Sequence, residues 1–148
     1  MRAFITGTDT GVGKTFVTAL LARALRRAGL DTIALKPVCS GDRLDGEILR
    51  SACDDELALD EVNPLWFQMA AAPCLAARSE HRTVSIAALE SWFCSVTAGR
   101  NSVLVEGAGG WMVPISDGKL VADLATAFGL PVIVVVANRL GCINHALL

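Results

Sequence analysis

Lys14 and Thr15 close a glycine-bearing run, Gly7-Thr8-Asp9-Thr10-Gly11-Val12-Gly13, whose composition suits the cradling of phosphate. Glycines let successive backbone N–H groups converge on an anion, and the start of a following helix adds partial positive charge. Lys14 can then reach the outer phosphates of a nucleotide, and the Thr15 hydroxyl can ligate magnesium. The lead is one residue longer than strict phosphate-loop spacing, which would put glycine at Thr8 rather than at Gly7. A purely structural strand-to-helix turn is the alternative.

Other side chains could join such a loop. Glu106 ends the apolar run Ser102-Val103-Leu104-Val105, where an ionised carboxylate must be paired, hydrogen-bonded or bound to a cation. The two readings are a magnesium ligand facing the phosphate loop and a salt bridge to an arginine. Asp45 reads as the N-cap of a short helix or as a further metal ligand. Lys36 follows a short apolar run and is either a solvated surface lysine or a second cation that neutralises charge during phosphoryl transfer. Ser40 and Thr10 are turn formers or substrate contacts, and Trp111 walls a pocket or fills core. His81 and His145 are isolated in the sequence.

Positioning these groups requires strands that deliver them to one end. Ala3-Phe4-Ile5, Thr32 to Leu35, Ser102 to Glu106 and Val132 to Val136 read as buried strands without polar alternation. Between them, Val17, Leu20, Leu21, Ala24, Leu25 and Ala28 mark a helical stripe that ends at Gly29. Residues 38–45 read as loop, and Asp45 opens a short helix with Ile48, Leu49 and Ala52. Pro64 and Pro73 break up the segment 61–82, whose structure is the least legible. Ser85 reads as the N-cap of a helix buried through Leu89, Trp92, Phe93 and Val96, and a further helix runs from about Leu120 to Phe128. Strands of this type separated by helices predict an α/β fold with a parallel sheet flanked by helices, in which ligands bind beyond the carboxyl ends of the strands.

With 148 residues, 53% hydrophobic and 19% charged, the chain has material for one large core. A formal net charge of -2 without basic blocks argues against nucleic acid or a membrane surface as partner, and points to a small molecule. The apolar runs fall short of the ~20 residues that span a bilayer, and a cytoplasmic location is expected. The five cysteines, Cys39, Cys53, Cys74, Cys94 and Cys142, show no Cys-x-x-Cys spacing, so neither a disulfide framework nor a zinc site is indicated.

Five blocks in order along the chain resemble the dethiobiotin synthetases: Gly-Thr-Asp-Thr-x-Val-Gly-Lys-Thr at 7–15, Leu-Lys-Pro-Val-x-Ser-Gly at 35–41, Val-Asn-Pro at 62–64, Val-Glu-Gly-Ala-Gly-Gly at 105–110 and Leu-Gly-Cys-Ile-Asn-His-Ala at 140–146. The resemblance implies a P-loop NTPase-like domain over residues 1–148 that closes a cyclic urea. In that reaction 7,8-diaminononanoate takes up CO2 as a carbamate, ATP phosphorylates the carbamate, and the second amine closes the ring of dethiobiotin. It implies ATP and Mg2+ as cofactors, with Lys36 and Lys14 catalytic. Gly11, Val12, Gly13, Lys14, Thr15, Phe16, Asp45, Glu106, Gly107, Ala108 and Gly109 would bind the nucleotide. Thr15, Asp45 and Glu106 would hold the metal. Thr10, Ser40 and Gly110 would line the diamine, whose carboxylate would be held across a homodimer interface by Gly141, Cys142, Ile143 and Asn144.

Two departures accompany the resemblance. Gly11 stands where a larger residue is frequent, and the chain stops at Leu148, ahead of the family's base-recognising segments and C-terminal strands. Exposed apolar surface and an open sheet edge near Val132 to Val136 are therefore expected. The rival readings are a partner-switching ATPase, which would usually carry an extra lysine at the start of the loop, and a non-catalytic remnant.

Overall fold

In a computed structural model describing residues 1–148, β1 (Arg2–Gly7) and its neighbours β2 (Thr32–Leu35), β5 (Ser102–Glu106) and β8 (Val132–Val135) form one parallel sheet. The order is β2-β5-β1-β8. Leu35 pairs with Val105, and Ile5 with Glu106. This register brings Lys36, Glu106 and the loop after Gly7 out at the same end of the sheet, as the unalternating strands predicted.

Alternation of side chains across the pleat divides the core in two. Phe4, Ile33, Leu35, Val103 and Val105 face α5 (Ile86–Val96) and α6 (Val121–Ala127), where Phe93 and Phe128 stack with ring centroids 4.3 Å apart. Ser85 caps α5, its hydroxyl accepting from the Ala88 N–H at 3.2 Å. Ala3, Ile5, Ala34 and Leu104 face α1 (Lys14–Arg27) and α2 (Leu44–Ala52) through Ala19, Ala22, Leu49 and Ala52.

Helix α1 is rotated from the expected stripe. Its buried line is Lys14, Thr18, Ala19 and Ala22, whereas Leu20 is exposed, as are Ala24 and Ala28. Lys14, Thr18 and Ala22 stand at i, i+4 and i+8, so the helix phase that buries Lys14 also buries the small residues on its line. Opposite them, Ala3 and Ala34 leave room for close approach.

The segments read as loop or left unread hold a second parallel pair, β3 (Val38–Ser40) with β4 (Leu65–Phe67), and the short helices α3 (Leu59–Val62) and α4 (Pro73–Ser79). A small antiparallel pair, β6 (Pro114–Ser116) with β7 (Lys119–Leu120), precedes α6. The last element is α7 (Cys142–Leu147), and no helix is long and apolar enough to cross a membrane. β8 is an edge strand whose Val132 and Val134 are exposed, in line with the expected open edge.

Between β2 and β5, the fully buried Thr32 hydroxyl donates to the Ser102 hydroxyl at 2.8 Å. Thr32→Val keeps the shape and strands the Ser102 hydroxyl, so it should cost about 1–2 kcal/mol, most of which Ser102→Ala in the same chain should restore. Urea unfolding of the two singles and the double checks this; additive losses would show that the pair contributes nothing.

Candidate active site

The loop from Thr8 to Gly13 returns the chain from β1 into α1, with Gly11 and Gly13 at φ +74° and +100°, a left-handed backbone that side-chain-bearing residues rarely adopt. Gly7 has a different constraint, since a Cβ there would lie 2.6 Å from Val12 Cγ2 and 3.2 Å from the Val135 carbonyl. Lys14 is buried, and its ammonium donates across the loop to the Asp9 carbonyl at 2.9 Å. Burial and then the charge of Lys36 hold it below the ordinary lysine range.

Four side chains meet beside this loop. The Thr15 hydroxyl lies 2.8 Å from Asp45 Oδ1 and 2.9 Å from Glu106 Oε1. The Lys36 ammonium donates to Glu106 Oε1 at 2.6 Å, to Asp45 Oδ2 at 2.7 Å and to the Gly107 carbonyl at 3.2 Å. Lys36 is 2% exposed, which removes the solvated-lysine reading. Burial alone would depress its ammonium, but the charges of Glu106 and Asp45 outweigh that and raise it above the ordinary range. Burial would likewise raise Asp45, yet Lys36, Thr15 and Lys14 together hold it below the usual carboxylate range.

Glu106 is paired with a lysine rather than with an arginine, and its Oε2 is buried without a hydrogen-bond partner. Asp45 is not an N-cap: it sits in the first turn of α2, with Arg43 at the cap position, while the Asp42 carboxylate accepts from the Leu44 N–H at 3.1 Å. The two lysines and two carboxylates balance in charge. Added phosphates would call for a further cation, and the oxygens of Thr15, Asp45 and Glu106 are the hard donors that suit magnesium.

A cavity of about 470 Å³ opens onto this cluster and is lined by Thr10, Lys36, Ser40, Asp45, Ala108 and Gly109, all expected site residues. The Ser40 hydroxyl is buried and unpartnered. The rest of the lining, Ala70 to Pro73 with Cys39 and Val113, was not anticipated, because small apolar residues carry no chemical signature in a sequence. Gly110 packs against the phosphate loop instead, where a Cβ would approach the Gly7 carbonyl at 3.3 Å. The Phe16 side chain is 72% exposed on the outer face of α1, so only its backbone can serve a phosphate. Gly141, Cys142, Ile143 and Asn144 lie at the start of α7 and do not line the cavity of their own chain. Trp111 lines a different cavity, of about 690 Å³, beside Val132 and Val134.

All five cysteines are free. Burial pushes the Cys53 thiol up to about 11 and raises Cys39 as well. At pH 8 about one Cys53 in a thousand would be thiolate, so an aromatic disulfide reagent should label the exposed Cys94 promptly and reach Cys53 only on unfolding. Mass mapping of the labelled sites checks the order; prompt Cys53 labelling in the folded protein would contradict it.

The parallel sheet, the phosphate loop and the carboxylates of Glu106 at the end of β5 and Asp45 in the first turn of α2 define a P-loop nucleotide-binding α/β domain, and a family model described as "AAA domain" matches residues 1–148. Among curated proteins, the chain is 47% identical over 149 residues to the ATP-dependent dethiobiotin synthetase BioD of Akkermansia muciniphila, covering 100% of this chain and 70% of the relative. It is 49% identical over 154 residues to that of Pseudomonas paraeruginosa, and 46% over 149 to that of an Anaeromyxobacter species, covering 98% of this chain in both and 68% and 67% of those relatives. The chain belongs to the ATP-dependent dethiobiotin synthetase family, a family of ligases.

Proposed function

We propose that this chain closes the cyclic urea of dethiobiotin from 7,8-diaminononanoate and CO2 with ATP, in biotin synthesis. The observation that carries the reading is the meeting of Lys36, Thr15, Asp45 and Glu106 within 2.6–2.9 Å at the mouth of the phosphate loop, beside a cavity with an apolar wall.

Lys14 holds the outer phosphates, assisted by the N–H groups of Gly11 to Thr15. The diamine's methylene chain lies against Ala70 to Pro73, and its amines face Ser40, Thr10 and the backbone of Gly107 to Gly109. One amine adds to CO2 and loses a proton, giving a carbamate. A carbamate oxygen attacks the γ-phosphorus and ADP leaves. The second amine then attacks the carbonyl carbon and expels phosphate, completing the ring. Lys36, held charged by its two carboxylates, faces the oxygens on which negative charge develops. Thr15, Asp45 and Glu106 would hold magnesium, whose chemistry is to neutralise and orient the phosphate oxygens. The block at 141–144 serves the diamine carboxylate of a partner copy in a homodimer.

The test is phosphate release with ATP, magnesium and bicarbonate, with and without 7,8-diaminononanoate, and product identified by mass. Diamine-dependent release with dethiobiotin is the expected result. Release without diamine would favour a switching ATPase, and no release a non-catalytic chain.

A further inference from the structure

The Lys36 ammonium can meet both carboxylates only if the end of β2 and the start of α2 are held at one separation. Asn63 spans that gap. It is fully buried, and its Nδ2 donates to the Lys36 carbonyl at 2.7 Å and to the Leu65 carbonyl at 3.3 Å. Its Oδ1 accepts from Arg43 Nε at 3.0 Å, and its carbonyl accepts from Arg43 Nη2 at 2.5 Å. Arg43 stands at the N-cap position of α2, two residues before Asp45. The Lys36 N–H donates to the Val62 carbonyl at 2.8 Å, so the backbone of Lys36 is held on both sides, by the Val62 carbonyl and the Asn63 side chain.

Packing reinforces the grip. A Cβ on Gly46, the neighbour of Asp45, would stand 3.2 Å from Asn63 Cβ, so α2 rests directly on Asn63. Pro64 biases Asn63 toward extended backbone, and Asn63 is found at φ -133° and ψ 82°. Pro37 has no N–H and cannot help anchor the turn after Lys36.

We propose that Asn63 is a positioning residue, which sets the Lys36 ammonium and the Asp45 carboxylate at bonding distance without touching the reacting atoms. The kinetic part of this inference rests on the ligase reading above.

Asn63→Asp keeps the shape and the acceptor for Arg43, but its ionised carboxylate repels the Lys36 carbonyl instead of donating to it, so the stability it costs is matched by a destabilised control. Loss of that bond should lower kcat about tenfold while KM for ATP stays unchanged. Hydrogen exchange at the Lys36 amide should rise about tenfold, with β1 and β5 unaffected. Asn63→Ala should do the same with a larger fall in Tm. Leu124→Ala, a core deletion in α6, serves as a destabilised control whose kcat below its Tm should exceed that of Asn63→Asp. An Asn63→Asp chain with unchanged kcat and Lys36 exchange would overturn the proposal, as would a kcat loss equalled by the control. If the wild-type chain shows no diamine-dependent release, the ligase reading fails separately, and the exchange at Lys36 alone decides the role of Asn63.

Discussion

Lys36→Met is expected to lower diamine-dependent phosphate release by about 10² to 10³-fold and to destabilise the fold by about 3–5 kcal/mol. The two losses have different origins. The rate falls because a fixed positive charge no longer faces the oxygens that become negative in the transition state. The stability falls because Glu106, fully buried, loses its one salt-bridge partner and already has one oxygen unbonded. Asp45 contributes less, since its side chain is 39% exposed and water can replace the lysine. Adding Glu106→Gln to Lys36→Met removes the stranded charge, so stability should return in part while activity stays lost. Denaturant unfolding and phosphate release on the same samples check both halves; a Lys36→Met chain as stable as wild type would show that the pair does not hold the fold.

Lys36 and Asp45 together predict a pH profile. Lys36 is raised in the folded chain, so its contribution is fully present below the ordinary lysine range and is lost only as pH rises through the raised value. Asp45 is lowered, so its contribution is present above the ordinary carboxylate range and is lost as pH falls through its depressed value. Stability from this cluster should therefore hold across neutral pH, and Lys36→Met should weaken the acid-side dependence that comes from Asp45.

The strands and the phosphate loop were legible because their signals are local: unbroken apolar runs, glycines before Gly-Lys-Thr, a serine cap at Ser85. The phase of α1 was not, because periodicity counts Leu20 and Ala24 as buried, whereas the site fixes the rotation by requiring Lys14 to turn inward. The segment 61–82 and the turn of helix just before it are illegible for a similar reason. Its strand β4 is three residues long and its helices α3 and α4 four and seven, and they are held by tertiary bonds from Asn63, Arg43 and Trp66 rather than by propensity. Position could name Lys36 and Glu106 after apolar runs and Asp45 at a helix start as candidates, but their meeting depends on parallel register and on Asn63, which no local pattern encodes.

Lys14→Met should instead separate function from stability in the opposite sense: turnover falls about 10³-fold, while the chain without nucleotide is as stable as wild type or more so. Lys14 is desolvated and faces the charge of Lys36, and its bond to the Asp9 carbonyl at 2.9 Å does not offset this, so its ammonium is held below the ordinary lysine range. For a base depressed in the folded state, the charged form costs stability at neutral pH, and the cost is relieved as pH rises toward the ordinary lysine value. Methionine keeps the buried length and removes that cost. Phosphate reverses the sign, because an anion in the loop turns the crowded cation into a partner. Wild type should therefore gain thermal stability on adding ATP and magnesium, whereas Lys14→Met should start at the same or higher Tm and gain little. A Lys14→Met chain that starts well below wild type would mean that the lysine serves the fold itself; an equal gain with ATP would mean that the phosphates bind elsewhere.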